Sequence, residues 1–330
     1  MSKMIKFPKI GQFRNVVKRV REACDFQGLD GNEKPIYRHE SDYPSLKFTG
    51  TVKLHGTNAA IAFNDDGIHV QSRTRIITEA DDNAGFAAFV GSLPQNAMDI
   101  MEKGGATVFG EWCGGNIQSG VAINGLPKMF AIFAHRKGGE WVDLPYSAEE
   151  ESVLSDNGIF LMRCFAEWSI VIDFNSPEEA QNKICALVDA VERECPAGKY
   201  LGVSGTGEGI VWKCSTDPSS ELWFKTKGEK HSATKVKTLS AVDVEKAASV
   251  NDFVEMTVTD NRLSQGIESM KEMGLPIEMK STGDYMRWVI TDILKEESDT
   301  MEASGLVAKD VGGAISKKAK VFWFAEVNKF

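Results

Sequence analysis

The sequence predicts an α+β fold in which antiparallel sheets come first and a small all-α domain follows. Short apolar runs with turn residues between them dominate residues 47–227, a pattern typical of strands joined by tight connections. From about residue 240 the apolar residues recur at helical spacing instead, with glycines between the segments. We therefore expect two domains, residues 1–240 and residues 241–330, in a chain long enough for both to have cores.

The first 46 residues are predicted to contain one helix and a long connection. Phe13, Val16 and Val20 recur at helical spacing, which favours a helix over about 13–24. Its basic residues lie on the opposite face, where a solvated surface is the simplest interpretation. Residues 25–46 are rich in Asp, Gly, Pro and Ser and are predicted to be a connection.

The remaining elements follow from alternation and from helical periodicity. We predict strands at 47–53, 59–63, 68–73, 106–112, 130–134, 141–144, 208–213 and 222–227. We predict helices at 82–103, 177–191, 242–262, 265–272, 284–297 and 314–328. We predict a turn at 64–67, and the rest of 147–200 mixes helical and short apolar runs.

Composition excludes several classes of protein. With 42% hydrophobic and 26% charged residues, the chain is neither disordered nor membrane-like, and no apolar run reaches the ~20 residues that span a bilayer. A net charge of -9 argues against wholesale coating of nucleic acid but allows a local basic groove. The six cysteines form no CxxC pair, and the start lacks the apolar core of a secretory signal. We expect reduced thiols and a cytoplasmic location.

The stretch Lys53-Leu-His-Gly-Thr-Asn58 places one lysine at the end of an apolar strand. A lysine is nucleophilic as the neutral amine, and burial beside cationic or metal partners lowers its pKa toward that form. Gly56 allows close approach of a ligand to the backbone, and Thr57 and Asn58 add hydrogen-bonding groups. An isolated motif of this kind is usually a hairpin corner with a solvated lysine, so its partners decide its meaning.

Further charged residues stand on strands downstream. Glu111 ends an apolar strand, where a carboxylate is uncommon unless it is paired or used. Alternation places Lys225 and Lys227 on one face, and residues 213–237 contain six lysines against three acidic residues. This local excess in an acidic chain indicates a polyanion site, although a solvated edge strand is the alternative. Together these groups are those needed to hold a nucleoside triphosphate and transfer its nucleotidyl group.

In their order along nearly the full length, these motifs resemble the covalent nucleotidyltransferases, and among them the phage-type RNA ligase 2 family of ATP-dependent RNA ligases. The resemblance rests on Lys53-Leu-His-Gly-Thr-Asn58, Ser72-Arg73-Thr74, Phe109-Gly-Glu-Trp112, Phe130-Ala-Ile-Phe133, Glu208-Gly-Ile-Val-Trp-Lys213, Phe224-Lys-Thr-Lys227 and Asp292-Ile-Leu-Lys-Glu-Glu-Ser298. It implies a nucleotidyltransferase domain followed by the helical tail of that family.

The resemblance also implies roles for individual residues. Lys53 becomes the carrier of AMP with help from His55, while Asn58 and Arg73 contact phosphates in later steps. Glu111 contacts the ribose, Phe133 stacks on the base and Glu208 binds the metal. The lysines that contact phosphates are Lys213, Lys225 and Lys227. The implied cofactors are ATP and Mg²⁺, with Mn²⁺ as a substitute.

The implied function is the sealing of an RNA 5′-phosphate to a 3′-hydroxyl, at nicks in duplex RNA, by a monomer that repairs RNA in a phage-infected cell. The helical domain would help to bind the duplex through its shape and backbone. Val52, Ala59 and Ala134 depart from the residues usual in the family, and Ala134 removes an Asp, for which His135 or an acidic group elsewhere could substitute. A DNA ligase, a capping-type nucleotidyltransferase and a non-catalytic module that binds nucleic-acid ends stay open as alternatives.

Overall fold

A computed structural model gives the structure of the chain and describes residues 4–38, 42–64, 66–103, 107–143, 146–217, 219–232 and 247–329. The chain divides into two compact units, Met1–Gly228 and Glu229–Phe330. The predicted domain boundary at residue 240 lies outside the described residues. No helix in the described ranges is long and apolar enough to cross a membrane.

Strands occur in the first unit only, as far as the described residues show. They are β1 (Phe26–Leu29), β2 (Pro35–Tyr37), β3 (Ser45–Lys53), β4 (Thr57–Asn64), β5 (Gly67–Ser72), β6 (Ile76–Ile77), β7 (Thr107–Cys113), β8 (Met129–Lys137), β9 (Glu140–Val142), β10 (Ile159–Leu161), β11 (Glu167–Asp173), β12 (Gly209–Cys214) and β13 (Phe224–Lys227).

The helices occur in both units. Those of the first unit are α1 (Phe13–Asp25), α2 (Phe86–Gly91), α3 (Gln95–Glu102), α4 (Ala148–Asp156), α5 (Met162–Phe165), α6 (Pro177–Arg193) and α7 (Pro196–Tyr200). Those of the second unit are α8 (Val250–Thr257), α9 (Asp260–Glu272), α10 (Thr282–Glu296), α11 (Ser298–Ala303) and α12 (Ala308–Val327). Short 3₁₀ turns occupy Ser220–Leu222, Glu229–His231 and Met279–Ser281.

The strands of the first unit form three sheets within the described residues. The larger sheet has the order β10-β8-β7-β4-β5-β6, with β9 beside β8, and the smaller one has the order β11-β3-β12-β13. The strands β1 and β2 pair with each other. The sheets are antiparallel as predicted, except that β10 runs parallel to β8. The α+β fold class is therefore confirmed.

Alternation gives the four-stranded sheet one apolar face and one face with charged groups. Phe48, Trp212 and Phe224 are fully buried on the apolar face, where Phe13 of α1 packs against Phe224 with ring centroids 5.3 Å apart. This packing accounts for the helical spacing of apolar residues in α1. Arg14 of the same helix is only 5% exposed, which corrects the expectation that all its basic residues are solvated.

The large sheet buries Ile61, Val108 and Phe130 against the helices beside it. The single helix predicted at 82–103 is wrong, because the chain forms α2 and α3 with Pro94 between them. Proline has no N–H to donate and blocks the preceding turn, so it starts a helix more readily than it continues one.

Several other sequence predictions need correction. The strand predicted at 222–227 begins only at Phe224, after a 3₁₀ turn at Ser220–Leu222. The connection predicted at 25–46 contains the β1–β2 hairpin, and the mixed region contains β11, which pairs with β3 along its whole length. In the helix predicted at 242–262, residues 242–246 lie outside the described residues, and the described helix runs only from Val250 to Thr257. There Thr259 accepts a hydrogen bond from the Arg262 N–H and caps the start of α9, since a hydroxyl at this position satisfies an unpaired helical donor.

The described part of the second unit, residues 247–329, is all helical, as predicted. Phe253, Tyr285 and Trp323 lie in its core, and the last two rings stack with centroids 4.5 Å apart. Arg262 is buried among them, where its guanidinium contacts the Glu297 carboxylate at 2.8 Å. A buried charge of this kind requires such a partner.

Candidate active site

The candidate site is built on one row of the four-stranded sheet. Strand register places Lys53 and Lys227 on either side of Gly209, so the two lysines project from the same face. Glu208 stands directly before Gly209 and is 1% exposed. Its Oε2 lies 2.7 Å from the Nζ of Lys53, and its Oε1 lies 2.8 Å from the Nζ of Lys227. The structure therefore brings together a predicted nucleophile, a predicted metal ligand and a predicted phosphate contact.

Two glycines make this arrangement possible. At Gly209 the backbone has φ +156°, and an added Cβ would meet the Thr226 carbonyl oxygen at 2.0 Å. At Gly56 an added Cβ would meet the Trp112 carbonyl oxygen at 2.4 Å. Strands therefore approach these positions so closely that only glycine fits. In both cases the glycine serves the packing of the chain itself.

The Lys53–Glu208 pair controls the protonation of the lysine. Burial lowers the pKa of Lys53, but the carboxylates of Glu208 and Glu111 outweigh burial and leave the pKa above its ordinary value. Burial likewise raises the pKa of Glu208, but Lys227 and Lys53 outweigh it and hold that pKa well below its ordinary value. The expected lowering of the Lys53 pKa is thus wrong for this state, since anionic neighbours surround the lysine in place of cationic ones.

Glu111 fixes the loop that follows Lys53. Its Oε1 accepts a hydrogen bond from the Gly56 N–H at 3.0 Å, and β7 places it opposite Asn58 on β4. A carboxylate at this strand end is thus paired in the way that the sequence indicated. Glu111 and Asn58 both border the Lys53 loop.

His55 and Arg73 lie around the same centre. The Nδ1 of His55 is 3.4 Å from Glu208 Oε2. Arg73 is exposed just beyond the end of β5, and its positive charge lowers the pKa of Lys53. Lys225 stands two residues before Lys227 on β13, where alternation places both side chains on one face. The catalytic and phosphate-binding roles predicted for these residues stay predictions.

Phe133 occupies a β-bulge. On β7 the neighbours Phe109 and Gly110 pair with Ala134 and Ile132, so Phe133 has no residue opposite it. Bulges of this kind redirect a side chain and occur often beside active sites. The Lys213 ammonium donates a hydrogen bond to the Phe133 carbonyl oxygen. Lys213 thus holds the backbone of the residue predicted to stack on the base.

Lys213 itself lies beside a cavity of about 630 Å³. Its Nζ stands 4.4 Å from the ring centroid of Trp223, and burial lowers its pKa to about 8. The cavity is also lined by Phe133, Thr51 and Trp141. Aromatic rings and a few polar groups in a cavity of this size are typical of a small-molecule site.

Ala134 belongs to an apolar environment. It is 6% exposed and packs with Phe109, Trp223 and other aromatic residues. Its neighbour His135 contacts the Tyr146 hydroxyl at 2.9 Å, and burial followed by the charge of Lys213 lowers its pKa to about 4. His135 is therefore neutral near pH 7 and does not supply the negative charge that an Asp at position 134 would carry.

A sequence model of the family described as RNA ligase matches residues 46–227, more than half of the chain. This chain belongs to the RNA ligase family. The matched range begins in β3 and ends at Lys227, so it contains every residue of the candidate site.

Solved structures of an RNA ligase are similar to this family member. A mutant of the Naegleria gruberi RNA ligase with AMP and Mn is 18% identical, with a TM-score of 0.44, over 68% of this chain and 56% of that one. The Naegleria gruberi RNA ligase with PPi is 19% identical, with a TM-score of 0.43, over the same shares of the two chains. This chain therefore spans little more than half of those ligases. No curated protein matches it.

The carboxylates of this RNA ligase family member suit a metal ion that arrives with phosphates. Among the described residues, no cluster of three His, Cys, Asp or Glu side chains could hold an ion alone. Glu208 Oε1 is buried and accepts no hydrogen bond from a described group, although the Lys227 ammonium forms an ion pair with it. Mg²⁺ is commonly held by one or two carboxylates with phosphates completing its shell, so Glu208 fits this role.

Sequence reasoning missed several residues that border the site. Asn83 donates a hydrogen bond to the Thr57 hydroxyl at 3.2 Å, and Phe7 packs against Phe133 with ring centroids 5.0 Å apart. Trp141 and Trp223 line the cavity. No motif marks these residues, because each reaches the site through tertiary contacts between distant segments.

Proposed function

We propose that this chain is an ATP-dependent RNA ligase that works through a lysyl-AMP intermediate. The observation that carries the proposal is the Lys53–Glu208–Lys227 row, where a buried carboxylate holds two lysines 2.7 and 2.8 Å from its oxygens. Membership of the RNA ligase family supports the same chemistry. If these charges only stabilised the fold, the loop after Lys53 would not need the second carboxylate, Glu111, which accepts a hydrogen bond from its Gly56 N–H.

In the first step the Lys53 amine attacks the α-phosphorus of ATP. A P–N bond forms, the bond from that phosphorus to the bridging oxygen breaks, and pyrophosphate leaves. Lys53 must first lose a proton to solvent, because the depressed pKa of Glu208 makes its carboxylate a poor proton acceptor. Glu208 Oε2 and His55, which lies beside it, are proposed to orient the amine. Lys225 and Lys227 would offset the negative charge that develops on the phosphates. A Mg²⁺ ion held at Glu208 would add to that stabilisation.

In the second step an oxygen of the RNA 5′-phosphate attacks the phosphorus of lysyl-AMP and releases the Lys53 amine. In the third step an RNA 3′-hydroxyl attacks the 5′-phosphorus, and AMP leaves as the phosphodiester forms. Arg73 is exposed beside Lys53, a position that suits a phosphate contact in these steps. Asn58 borders the Lys53 loop, and we propose that it contacts phosphates together with Arg73.

The nucleoside would occupy the space between Phe133 and Lys53. Phe133 is aimed by its bulge and backed by the Lys213 hydrogen bond, which supports stacking on the base. Glu111 is proposed to accept a ribose hydroxyl. We propose Lys213 as the holder of Phe133, while its contact with phosphate stays a prediction.

The decisive experiment tests for a covalent nucleotide. The chain is incubated with labelled ATP, GTP or NAD and Mg²⁺, and an acid-stable, protein-bound label is sought. We expect label from ATP alone, lost in Lys53→Ala and retained in Lys103→Ala, an exposed lysine paired with Glu150. Label from GTP or NAD would indicate another nucleotidyltransferase, and no label from any of the three would indicate a binding module.

Assays of the second and third steps test narrower parts of the proposal, namely the RNA substrate and the role of the helical unit. We propose that the substrate is nicked duplex RNA, that the chain acts as a monomer in the cytoplasm, and that the reaction repairs RNA during phage infection. Nicked duplexes of RNA and DNA, compared side by side, test the substrate. A chain ending at residue 232 should form lysyl-AMP but seal nicks poorly if the helical unit serves RNA binding, whereas equal loss of both would refute that role.

A further inference from the structure

The segment Ile5–Gly11 contacts four strands that carry candidate-site residues or end beside them, namely β5, β7, β8 and β13. At its start, the Ile5 N–H donates to the Gln71 Oε1 at 3.2 Å, and the Gln71 Nε2 donates to the Ile5 carbonyl oxygen at 2.6 Å. Gln71 is 3% exposed and precedes Arg73 by two residues. The segment is therefore attached to β5 by a reciprocal pair of hydrogen bonds.

In its middle, Phe7 enters a cluster of aromatic rings. Four rings contact it, at centroid distances of 5.3 Å for Phe109, 5.0 Å for Phe133, 5.4 Å for Trp141 and 6.0 Å for Trp223. The Phe133 contact is edge-on, a favourable geometry for aromatic pairs. Phe7 thus supports the bulged residue that is proposed to stack on the base.

At its end, the segment pairs with β13. The Gly11 carbonyl oxygen accepts a hydrogen bond from the Lys225 N–H at 3.0 Å, and Gly11 forms a parallel bridge with Phe224. The same segment therefore reaches the base-stacking residue on the large sheet and the lysine strand on the small sheet.

We propose that Ile5–Gly11 is a positioning strap for the nucleotide site, with Phe7 as its anchor. The strap would fix the distance between Phe133, which holds the base, and Lys225 and Lys227, which hold the phosphates. It acts through these residues without touching the reacting atoms. The inference rests on the proposed ATP chemistry.

The strap also explains why position 134 carries an alanine. Ala134 lies in the aromatic cluster with Ile5, Phe7 and Ile10 packed against it. A carboxylate in such surroundings would lose its hydration with few donors to replace it. Phe133 is held by aromatic packing and by the Lys213 hydrogen bond, with an alanine at the next position.

The test compares Phe7→Ala with the wild-type chain in the rate of lysyl-AMP formation as a function of ATP concentration. Without the Phe7 contacts, Phe133 would have to be ordered when ATP binds, so Phe7→Ala should raise the KM for ATP about tenfold. The maximal rate should stay within about twofold, because Lys53 and Glu208 are untouched. Phe7→Leu should recover most of the affinity.

A second variant and a matched control separate positioning from stability. Gln71→Met removes both hydrogen bonds to Ile5 and leaves the aromatic cluster intact, so it should raise KM by a smaller factor with the same unchanged maximal rate. Phe174→Ala removes a ring that is 0% exposed and packs near Phe48. It should destabilise the first unit without changing KM.

The Kd for α,β-methylene-ATP with Mg²⁺, an analogue of ATP that cannot transfer its AMP, is measured by calorimetry and keeps the two proposals apart. A wild-type chain that binds ATP but forms no lysyl-AMP would overturn the proposed function, and the strap would then be judged by a Kd that rises in Phe7→Ala. The strap is overturned if Phe7→Ala lowers the maximal rate at unchanged KM and Kd, or if Phe174→Ala raises KM equally. Absence of ATP binding by the wild-type chain would overturn both.

Discussion

Replacement of Glu208 by glutamine tests the negative charge that pairs with both Lys53 and Lys227. The substitution keeps the size of the side chain and one oxygen acceptor but removes the negative charge shared by Lys53 and Lys227. The lysine side chains are 21% and 16% exposed and the glutamate is 1% exposed, so water screens these charges poorly. The variant therefore leaves two largely buried ammonium groups close to one amide.

The expected loss of stability follows from that burial. Removing one partner of a buried ion pair costs about 3–5 kcal/mol, and the retained amide oxygen places Glu208→Gln near the lower limit, at about 3 kcal/mol. Urea-dependent hydrogen exchange of peptides from β3 and β12 measures this loss in the first unit alone. Glu140→Gln, an exposed glutamate on β9, is the matched control and should change the free energy of unfolding by less than about 0.5 kcal/mol.

The pH dependence of that loss has a definite sign. The folded pKa of Glu208 is depressed below 4.5, so its contribution is present above pH 4.5 and is lost as the pH falls through the folded pKa. The folded pKa of Lys53 is raised above 10.5, so its contribution is complete below pH 10.5 and is lost as the pH rises through the folded value. The difference between wild type and Glu208→Gln should be constant from about pH 5 to 10. A difference below about 1 kcal/mol at pH 7 would refute the ion-pair interpretation.

Three other predictions follow from the same geometry. Because the pKa of Lys53 lies above its ordinary value, the rate of lysyl-AMP formation at limiting ATP should rise about tenfold per pH unit between pH 6 and 8; a rate independent of pH would contradict an ammonium ground state. Gly56→Ala should destabilise the first unit by about 1–3 kcal/mol in urea unfolding and abolish labelling, since its Cβ would meet the Trp112 carbonyl oxygen at 2.4 Å; normal labelling would contradict this contact. Burial lowers the pKa of Lys213 from 10.5 to about 8. As the pH rises from 8 to 10.5, the free energy of unfolding of the wild type should therefore increase by about 3 kcal/mol relative to that of Lys213→Met. Urea unfolding at both pH values measures this change, and a constant difference would show that the lysine is not desolvated.

The parts of the site that the sequence predicted are those with a local signal. Lys53 and Glu111 stand at the ends of apolar strands, and Lys225 and Lys227 share a face by simple alternation. Each signal depends on a few consecutive residues, so it survives without knowledge of the fold. The antiparallel sheets and most helices were predicted for the same reason.

The parts that the sequence did not predict depend on register between distant strands. Lys53 and Glu208 are 155 positions apart, and their contact exists only because β3 and β12 pair with Lys53 opposite Gly209. The bulge at Phe133 requires the β7–β8 register, and the Phe7 contacts require a segment whose own pattern shows no motif. Helix breaks at Pro94 and Thr259 were missed because apolar periodicity continued across residues that interrupt or restart helices.

The Glu208 carboxylate pairs with both Lys53 and Lys227, and in the proposed mechanism it also decides which of the two lysines is released when ATP binds. Its two oxygens face different lysines, so anything that engages Oε1 competes with Lys227 and leaves the Lys53 contact at Oε2 in place. Lys227 would then be available to the phosphates, while Lys53 stays directed by the carboxylate toward the same point. In the proposed mechanism, the charge that keeps Lys53 protonated in the absence of ATP also fixes its position. Substitution of Glu208 should therefore affect the precision of attack as well as the protonation of the amine, and neither effect could be assigned from the lysine motif alone.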